Sequence, residues 1–378
     1  MSITTLTLDQ FVDPFEARVS YKKDEDGAII DARFDLSGLP RLDPLLLGKE
    51  VRAVPDIVKR LCGICPVTHH LAGVRALDAL FGVPEIPETA RLVRSLLNYG
   101  SILDAVAPRL FTVDRDLAVA LKKVGKLAMA TAGCSGHFPD VAVPGGVRAP
   151  ANHELATELA TQLPALKSAI QQLPKDDHWE DTFSGLSMTL ALGGTLDPLG
   201  NRVLLSDGTS FLVPEFSQCV VESVPGDPAP RPLVHGRPYR VGPVARSVVD
   251  AAPLGPKQAQ QELLMSSVLA IAEILESSEL CAGEVLFEGK QQAGEGIGIV
   301  EGPRGLLVHR YVSDASGRLI ECQILTPTAQ NEWWLAEMLC ESLSSGVELE
   351  ASIRAADPCL PITSAPAGAM GINVAEEG

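Results

Sequence analysis

Hydrophobic and polar residues alternate along residues 15–35, with charged side chains around Lys22 to Asp26 and then Ala28-Ile29-Ile30-Asp31-Ala32-Arg33-Phe34. A period of two interrupted by an acidic turn predicts a β-hairpin, and Asp24-Glu25-Asp26 reads as its solvated tip. From residue 65 the period lengthens. Val67, Leu71, Val74, Leu77 and Phe81 recur at helical spacing, which puts an apolar stripe on one helix face. Pro66 stands at the first helical position, where a fixed φ helps and a missing N–H costs nothing, so Cys65 falls near the N-cap. Further helices are predicted over 88–108, 151–172 with a bend at Pro164, 257–280 and 330–345. Residues 180–253 are rich in Gly, Pro and short β-prone runs and read as strands and loops; 285–326 is a second β-rich block. Trp333-Trp334 fits the core side of its helix better than a partner face. Residues 365–378 read as a flexible, fraying tail. No repeat or low-complexity linker divides the chain, so residues 1–378 are expected to form a single domain.

Composition narrows what this body can do. With 378 residues and 46% hydrophobic content the chain is long enough to bury a large core. Its 31 Lys and Arg against 48 Asp and Glu leave a net charge of −17, which repels a phosphate backbone and argues against nucleic-acid binding. The first ten residues lack a basic region and an apolar region, so no secretory signal is read. The best apolar run, Leu263 to Leu275, is too short for a membrane span and is interrupted by Ser266, Ser267 and Glu273. A soluble, cytoplasmic protein with no membrane partner is expected. Eight cysteines in so long a chain are not a disulfide framework. Cys134, Cys219, Cys281, Cys322 and Cys340 are scattered singly and read as small core residues. That leaves Cys62, Cys65 and Cys359.

Two thiols three positions apart at a helix start can face the same way, and exposed helix N–H groups favour their thiolate forms. His69 lies one turn beyond Cys65, within reach of a sulfur or of a group behind it. Taken alone, the pair suits a redox dithiol, or chance, as well as it suits a metal. The full string Arg60-x-Cys62-Gly63-x-Cys65-Pro66-x-x-His69 is far more specific. It resembles the N-terminal metal motif of [NiFe] hydrogenase large subunits.

The resemblance continues in order down the chain. Pro144-Gly145-Gly146-Val147, after Gly136-His137-Phe138-Pro139, is similar to the family's proline/diglycine segment. Val241-Gly242-Pro243-Val244-Ala245-Arg246 is similar to its Val-Gly-Pro-x-Ala-Arg stretch. Glu301-Gly302-Pro303-Arg304-Gly305, with Leu307 and His309 beyond, resembles the motif whose arginine overhangs the active-site iron. Pro327-Thr328-Ala329-Gln330-Asn331 resembles the turn whose hydroxyl meets a cyanide ligand. Arg354-x-x-Asp357-Pro358-Cys359 resembles the start of the C-terminal Asp-Pro-Cys-x-x-Cys-x-x-His motif, here spanning 354–362. The implied fold is that of the large subunit, an α+β body dominated by helices with peripheral antiparallel sheets, in which metal motifs from both ends meet.

Three departures set expectations about function. The second cysteine of the C-terminal pair is replaced by Ile362, and the histidine that ends the mature family protein by Ala365. Arg18-Val19-Ser20-Tyr21 stands where the family has a proton-passing glutamate, with Ser20 in place of the acid. A centre of four thiolates shares two sulfurs between nickel and iron, and isoleucine coordinates nothing; a relay without its carboxylate lacks its general base. The pattern therefore resembles the HupK/HoxV-like hydrogenase assembly proteins. That resemblance implies a maturation scaffold, not an enzyme, that transiently holds an Fe(CN)2(CO) unit, with no nickel expected. Cys65 would be the leading iron ligand, Cys62 and Cys359 assisting thiolates, and His69 an accessory group. Arg304 and Thr328 would steady the cyanides through hydrogen bonds of about 1.5–3 kcal/mol each. Implied partners are a small maturation chaperone of the HypC type and the precursor of the true large subunit. The competing expectations are a divergent large subunit that still oxidises H2 and a metal-free interaction subunit.

Overall fold

The computed structural model describes residues 16–34, 43–60, 62–175, 179–227, 229–346, 348–360, 363 and 365–377. Ile362 lies outside the described residues. The chain opens with the expected hairpin, β1 (Glu16–Lys23) and β2 (Ile29–Phe34). Asp24 closes its turn by accepting the amides of Asp26 and Ala28 at 3.0 and 2.8 Å. The expected helices follow as α1 (Pro66–Leu80), α2 (Glu88–Val106), α4 (His153–Gln171) and α6 (Pro256–Glu276). The predicted elements omit α3 (Arg115–Thr131). Its signal was present: the Asp114 side chain caps it by accepting the Leu117 amide at 2.9 Å, and Leu117, Leu121, Val124 and Ala128 form its buried stripe. An interior glycine, Gly125, masks the pattern. A Cβ there would stand 2.7 Å from the Asp104 nitrogen and the Gly100 oxygen, so α2 and α3 cross backbone to backbone. Helices α2, α3, α4 and α6 enclose one apolar cluster that includes Leu96, Leu121, Leu159 and Leu264.

Residues 186–241 form a mixed sheet of β3 (Leu186–Leu192), β4 (Arg202–Leu205), β5 (Ser210–Leu212), β6 (Val220–Glu222), β7 (Pro232–Val234) and β8 (Arg237–Val241), ordered β5-β4-β3-β8-β7-β6. A short helix, α5 (Pro243–Val249), comes next. The block 285–326 becomes an antiparallel meander of β9 (Gly294–Gly302), β10 (Gly305–Ser313) and β11 (Leu319–Leu325). Two helices complete the body, α7 (Glu332–Ser345) and α8 (Leu349–Ala356). Trp334 is buried in a cluster with the hairpin residues Val19 and Phe34.

Two details depart from expectation. Not every sheet contact is antiparallel: β8 pairs parallel with β3. The tail does not fray, because β12 (Gly371–Glu376) pairs parallel with β1, Glu16 opposite Gly371 through Tyr21 opposite Glu376. An edge strand with open N–H and C=O groups is a template for such pairing, a property that local composition does not carry.

One contact fixes where the N-terminal cysteine pair sits. Helix α1 lies directly on β9, where Cβ atoms at Gly296 and Gly298 would each come 2.1 Å from the carbonyl oxygens of Ala76 and Ala72. Glycine is the residue that permits so close a helix-to-strand approach.

Candidate metal centre

Cys62 and Cys65 sit on the turn that enters α1, with Cys65 at the N-cap position and Pro66 next. Cys359 arrives from the far end of the chain. Helix α8 stops at Asp357, which adopts φ 50° and ψ 58°, a left-handed conformation that aspartate tolerates. The reversal turns the chain so that Cys359 meets the N-terminal pair: the sulfurs stand 3.3 Å apart for Cys62 and Cys65, 3.4 Å for Cys65 and Cys359 and 3.8 Å for Cys62 and Cys359. Sulfurs bound tetrahedrally at ~2.3 Å stand roughly 3.8 Å apart, so the triangle suits one thiophilic ion with little movement.

The thiols influence one another. Cys62 is driven well below the usual thiol range because Cys359 and Cys65 point S–H groups at it and the Ile64 amide adds a third donor. Cys65 and Cys359 are pushed up, each holding its proton against a neighbouring thiolate in a buried setting. A bound cation supplies the charge that draws off the remaining protons.

The sequence motifs that look unrelated in the chain converge here. Thr328 accepts the Cys359 amide at 2.7 Å, so its hydroxyl fixes the cysteine backbone and keeps its own proton to give elsewhere. Arg304 is buried, reaches Asp357 Oδ1 at 3.2 Å, and leaves Nη1 with no partner among the described residues. Burial opposes its charge, but the Asp357 carboxylate, and the sulfurs of Cys359 and Cys65 when ionised, hold the guanidinium above its usual pKa. Gly242 explains the Val-Gly-Pro stretch: at φ +102° it passes beneath the Arg304 carbonyl, where a Cβ would come within 2.7 Å. Asn331 pins that stretch by accepting the Val241 amide at 2.7 Å and donating to the Val241 carbonyl at 3.2 Å. Gln330 likewise donates to the Leu306 carbonyl at 2.5 Å.

Two groups near the site, Arg109 and Tyr311, were invisible to sequence reading. Arg109 makes a two-pronged ion pair with Asp357 across 248 residues, and no motif contains it. His69 is buried, with a ring nitrogen within 4.8 Å of the Cys62 and Cys65 sulfurs. Its Nδ1 lies 3.1 Å from Nε2 of His309, whose Nδ1 lies 2.7 Å from the Tyr311 hydroxyl. Alternation along β10 supplied the one available signal, since His309 and Tyr311 share a strand face. Ser20, in contrast, gives its hydroxyl proton to Glu377 of the tail.

A cavity of about 1370 Å³ opens beside the corner and reaches Gly63, Arg304 and Asp357. Among the described residues its lining carries six cationic side chains, Lys126 and Lys257 among them, against two carboxylates, Asp104 and Asp357. In a chain of net charge −17 this is a local inversion of sign. No helix among the described residues is long and apolar enough to cross a membrane.

Known proteins bear on this geometry. Residues 41–106 match the family described as nickel-dependent hydrogenase. The chain is 30% identical to the alpha subunit of the coenzyme F420 hydrogenase of Methanothermobacter thermautotrophicus, over 91% of this chain and 90% of that one. It is 26% identical to the alpha subunit of sulfhydrogenase 2 of Pyrococcus furiosus, with 89% of this chain and 93% of that one covered. Its fold superposes on an NAD+-reducing [NiFe]-hydrogenase in the H2-reduced state with a TM-score of 0.76 at 25% identity, covering 92% of this chain and 96% of the other. A Ni-Fe-Se hydrogenase of Desulfovibrio vulgaris Hildenborough shares the fold at a TM-score of 0.70 and 18% identity, with 91% and 98% covered.

These findings correct two expectations. The reading of the chain as a non-enzyme is overturned by relatives that are hydrogenase subunits along nearly their whole length. The expectation of no nickel is overturned by a family defined as nickel-dependent. Both expectations rested on three local departures, Ile362, Ala365 and Ser20, and the physical inference was too strong. Thiolate softness does not discriminate against nickel, and a catalytic metal keeps an open coordination position where a structural one is closed. The long alignments, the shared fold and the convergence of both chain ends on one thiol corner agree: this chain belongs to the nickel-dependent [NiFe] hydrogenase large-subunit family.

Proposed function

We propose that the chain is the metal-bearing large subunit of a hydrogenase-type complex, working as one body with a partner subunit. Cys62, Cys65 and Cys359 are its thiolate ligands for a nickel- and iron-containing centre. Arg304 and Thr328 donate to diatomic ligands on iron, and His69 borders the sulfurs. The observation that carries this reading is the sulfur triangle of 3.3–3.8 Å together with the buried Arg304 guanidinium, tied to Asp357 two residues before Cys359 and with Nη1 unpaired among the described residues. When bound, such a centre supplies the redox chemistry of H2. The chain's residues do the rest: Asp357, gripped by Arg109, aims Arg304, and Thr328 holds Cys359 in register.

A second reading is favoured by Ile362 in place of a fourth thiol and by a Ser20 hydroxyl committed to Glu377. Here the corner holds an Fe(CN)2(CO) unit in transit, received with a small chaperone of the HypC type and passed to a large-subunit precursor. The cationic lining of the cavity suits an anionic iron unit arriving through it. One experiment separates the readings: anaerobic purification from cells that make the maturation machinery, followed by metal analysis, infrared spectroscopy and an H2-dependent dye-reduction assay. Nickel and iron with H2-dependent reduction support the first reading. CO and CN stretching bands that vanish in Cys65→Ala, without H2-dependent reduction, support the second. Iron-free protein without such bands removes both.

A further inference from the structure

We infer that the thiol corner is a redox gate on its own loading: in metal-free protein Cys62 and Cys65 close into a disulfide, and metal enters only after a dithiol reductant has reopened it. Among the described residues every cysteine is free, and sulfurs touch one another only at this corner. Cys134 is the internal contrast. It lines the same cavity, yet its S–H goes to the Gly136 carbonyl at 3.3 Å and to no second sulfur. The Cys62 and Cys65 sulfurs stand 3.3 Å apart, whereas a disulfide holds its sulfurs at roughly 2.05 Å, so closure takes about 1.3 Å. Cys-x-x-Cys at a helix start is also the arrangement that makes a dithiol reactive.

The competing pair is Cys65 with Cys359, at 3.4 Å. Their surroundings decide between the two. Cys359 is held by its clamp, its amide by Thr328 at 2.7 Å and its neighbour Asp357 by Arg304 and Arg109, and drawing its sulfur inward works against those contacts. The turn between Cys62 and Cys65 yields more easily, because a Cβ at Gly63 would meet nothing within 4 Å. Gly63 and Ile64 line the cavity, and Cys62 is half-buried where Cys65 is buried, so an entering oxidant meets Cys62 first. The chemistry balances with hydrogen peroxide. The Cys62 thiol takes one oxygen from the peroxide, giving a sulfenic acid and a first water. The Cys65 sulfur then attacks that sulfur, the S–O bond breaks, and the hydroxyl leaves with the Cys65 proton as a second water. Two thiols have lost two electrons and two protons, and the peroxide has taken up both. A dithiol returns them by exchange through a mixed disulfide and is itself oxidised.

The thiolate is the metal ligand, so closure removes two of the corner's three sulfur donors and leaves Cys359 alone. The gate rests on the metal-centre reading, the disulfide does not, and the test reads them apart. The full chain, made in cells without the maturation machinery, is stripped of metal, reduced anaerobically and treated with stoichiometric hydrogen peroxide. Intact mass is expected to fall by two hydrogen atoms, with peptide mapping after alkylation placing the bond between Cys62 and Cys65 and the label on Cys359. Retention of added Ni2+ through gel filtration is expected to drop roughly tenfold or more, since binding needs deprotonated sulfur ligands, and to return with dithiothreitol. Cys359→Ser is expected still to form the bond and Cys65→Ser to lose it. A wild-type bond to Cys359, or three labelled corner thiols after peroxide, overturns the inference, and these wild-type maps decide it if a variant does not fold. A Cys62–Cys65 bond with undiminished Ni2+ retention overturns the gate. Reduced protein that retains no Ni2+ overturns the metal-centre reading and the gate with it, while the mapped disulfide stands.

Discussion

The two halves of the thiol corner are held by different means. Cys62 and Cys65 are set by what adjoins them: a proline-started helix, pressed onto β9 through Gly296 and Gly298. Cys359 is set at a distance. Its amide is caught by Thr328, 31 residues away, and its neighbour Asp357 by Arg304 and Arg109, 53 and 248 residues away. The first half is a packing device, the second a hydrogen-bonded clamp. The lesson is that a split metal corner can have one rigid side, against which the other is docked by polar contacts.

The harshest way to break the comparison is to delete a sulfur on either side. Cys65→Ala and Cys359→Ala are both expected to abolish metal loading, read by metal analysis after anaerobic purification. Loading retained in Cys359→Ala would show that the N-terminal half suffices. Gly298→Ala attacks the packed side alone. Its Cβ would meet the Ala72 carbonyl at 2.1 Å, and overpacking of this kind costs about 3 kcal/mol. A lowered urea midpoint together with poor metal loading is expected.

The clamp side should yield in smaller steps. Arg109→Leu leaves Asp357 to Arg304 alone. Because Arg109 is 21% exposed, the expected cost is about 2 kcal/mol, below the ~3–5 kcal/mol of a fully buried pair. Thr328→Val removes the acceptor of the Cys359 amide, for an expected cost of about 1–2 kcal/mol and weaker metal retention with the Cys62–Cys65 side unaltered. Equal loss of order on both sides, seen as equal cysteine labelling rates, would contradict the division proposed.

The mildest probe is acid, and it acts on the helix side. His70, on α1, is lowered from 6.5 to about 4, mainly by burial and then by the nearby Lys59 charge. Below pH 6.5 the unfolded chain takes up a proton that the folded ring refuses. The stability this group contributes is therefore present above pH 6.5 and is lost as pH falls towards 4. The slope cannot exceed about 1.4 kcal/mol per pH unit for one group. Urea denaturation across that window is expected to be flatter in His70→Gln than in the wild type; identical slopes would exclude His70 as the source.

The hairpin, most long helices and the β-rich 285–326 block were legible because each has its own period, and the cysteine motifs because local spacing carries them. Helix α3 was missed through one interior glycine, and β12 because edge pairing has no local signature. Reading Ile362, Ala365 and Ser20 as proof against nickel and against enzymatic activity treated three substitutions as decisive over a whole-chain likeness.

What the amino-acid order determined by itself was therefore most of the elements, the soft donors and the family. What only the tertiary structure decided was which distant side chains share the corner: Arg109 on Asp357, Thr328 on the Cys359 amide, and Tyr311 behind the two histidines. The reason is physical. Period and capping are short-range properties written within a few residues, whereas a buried donor finds its acceptor through chain folding and can lie anywhere in the sequence.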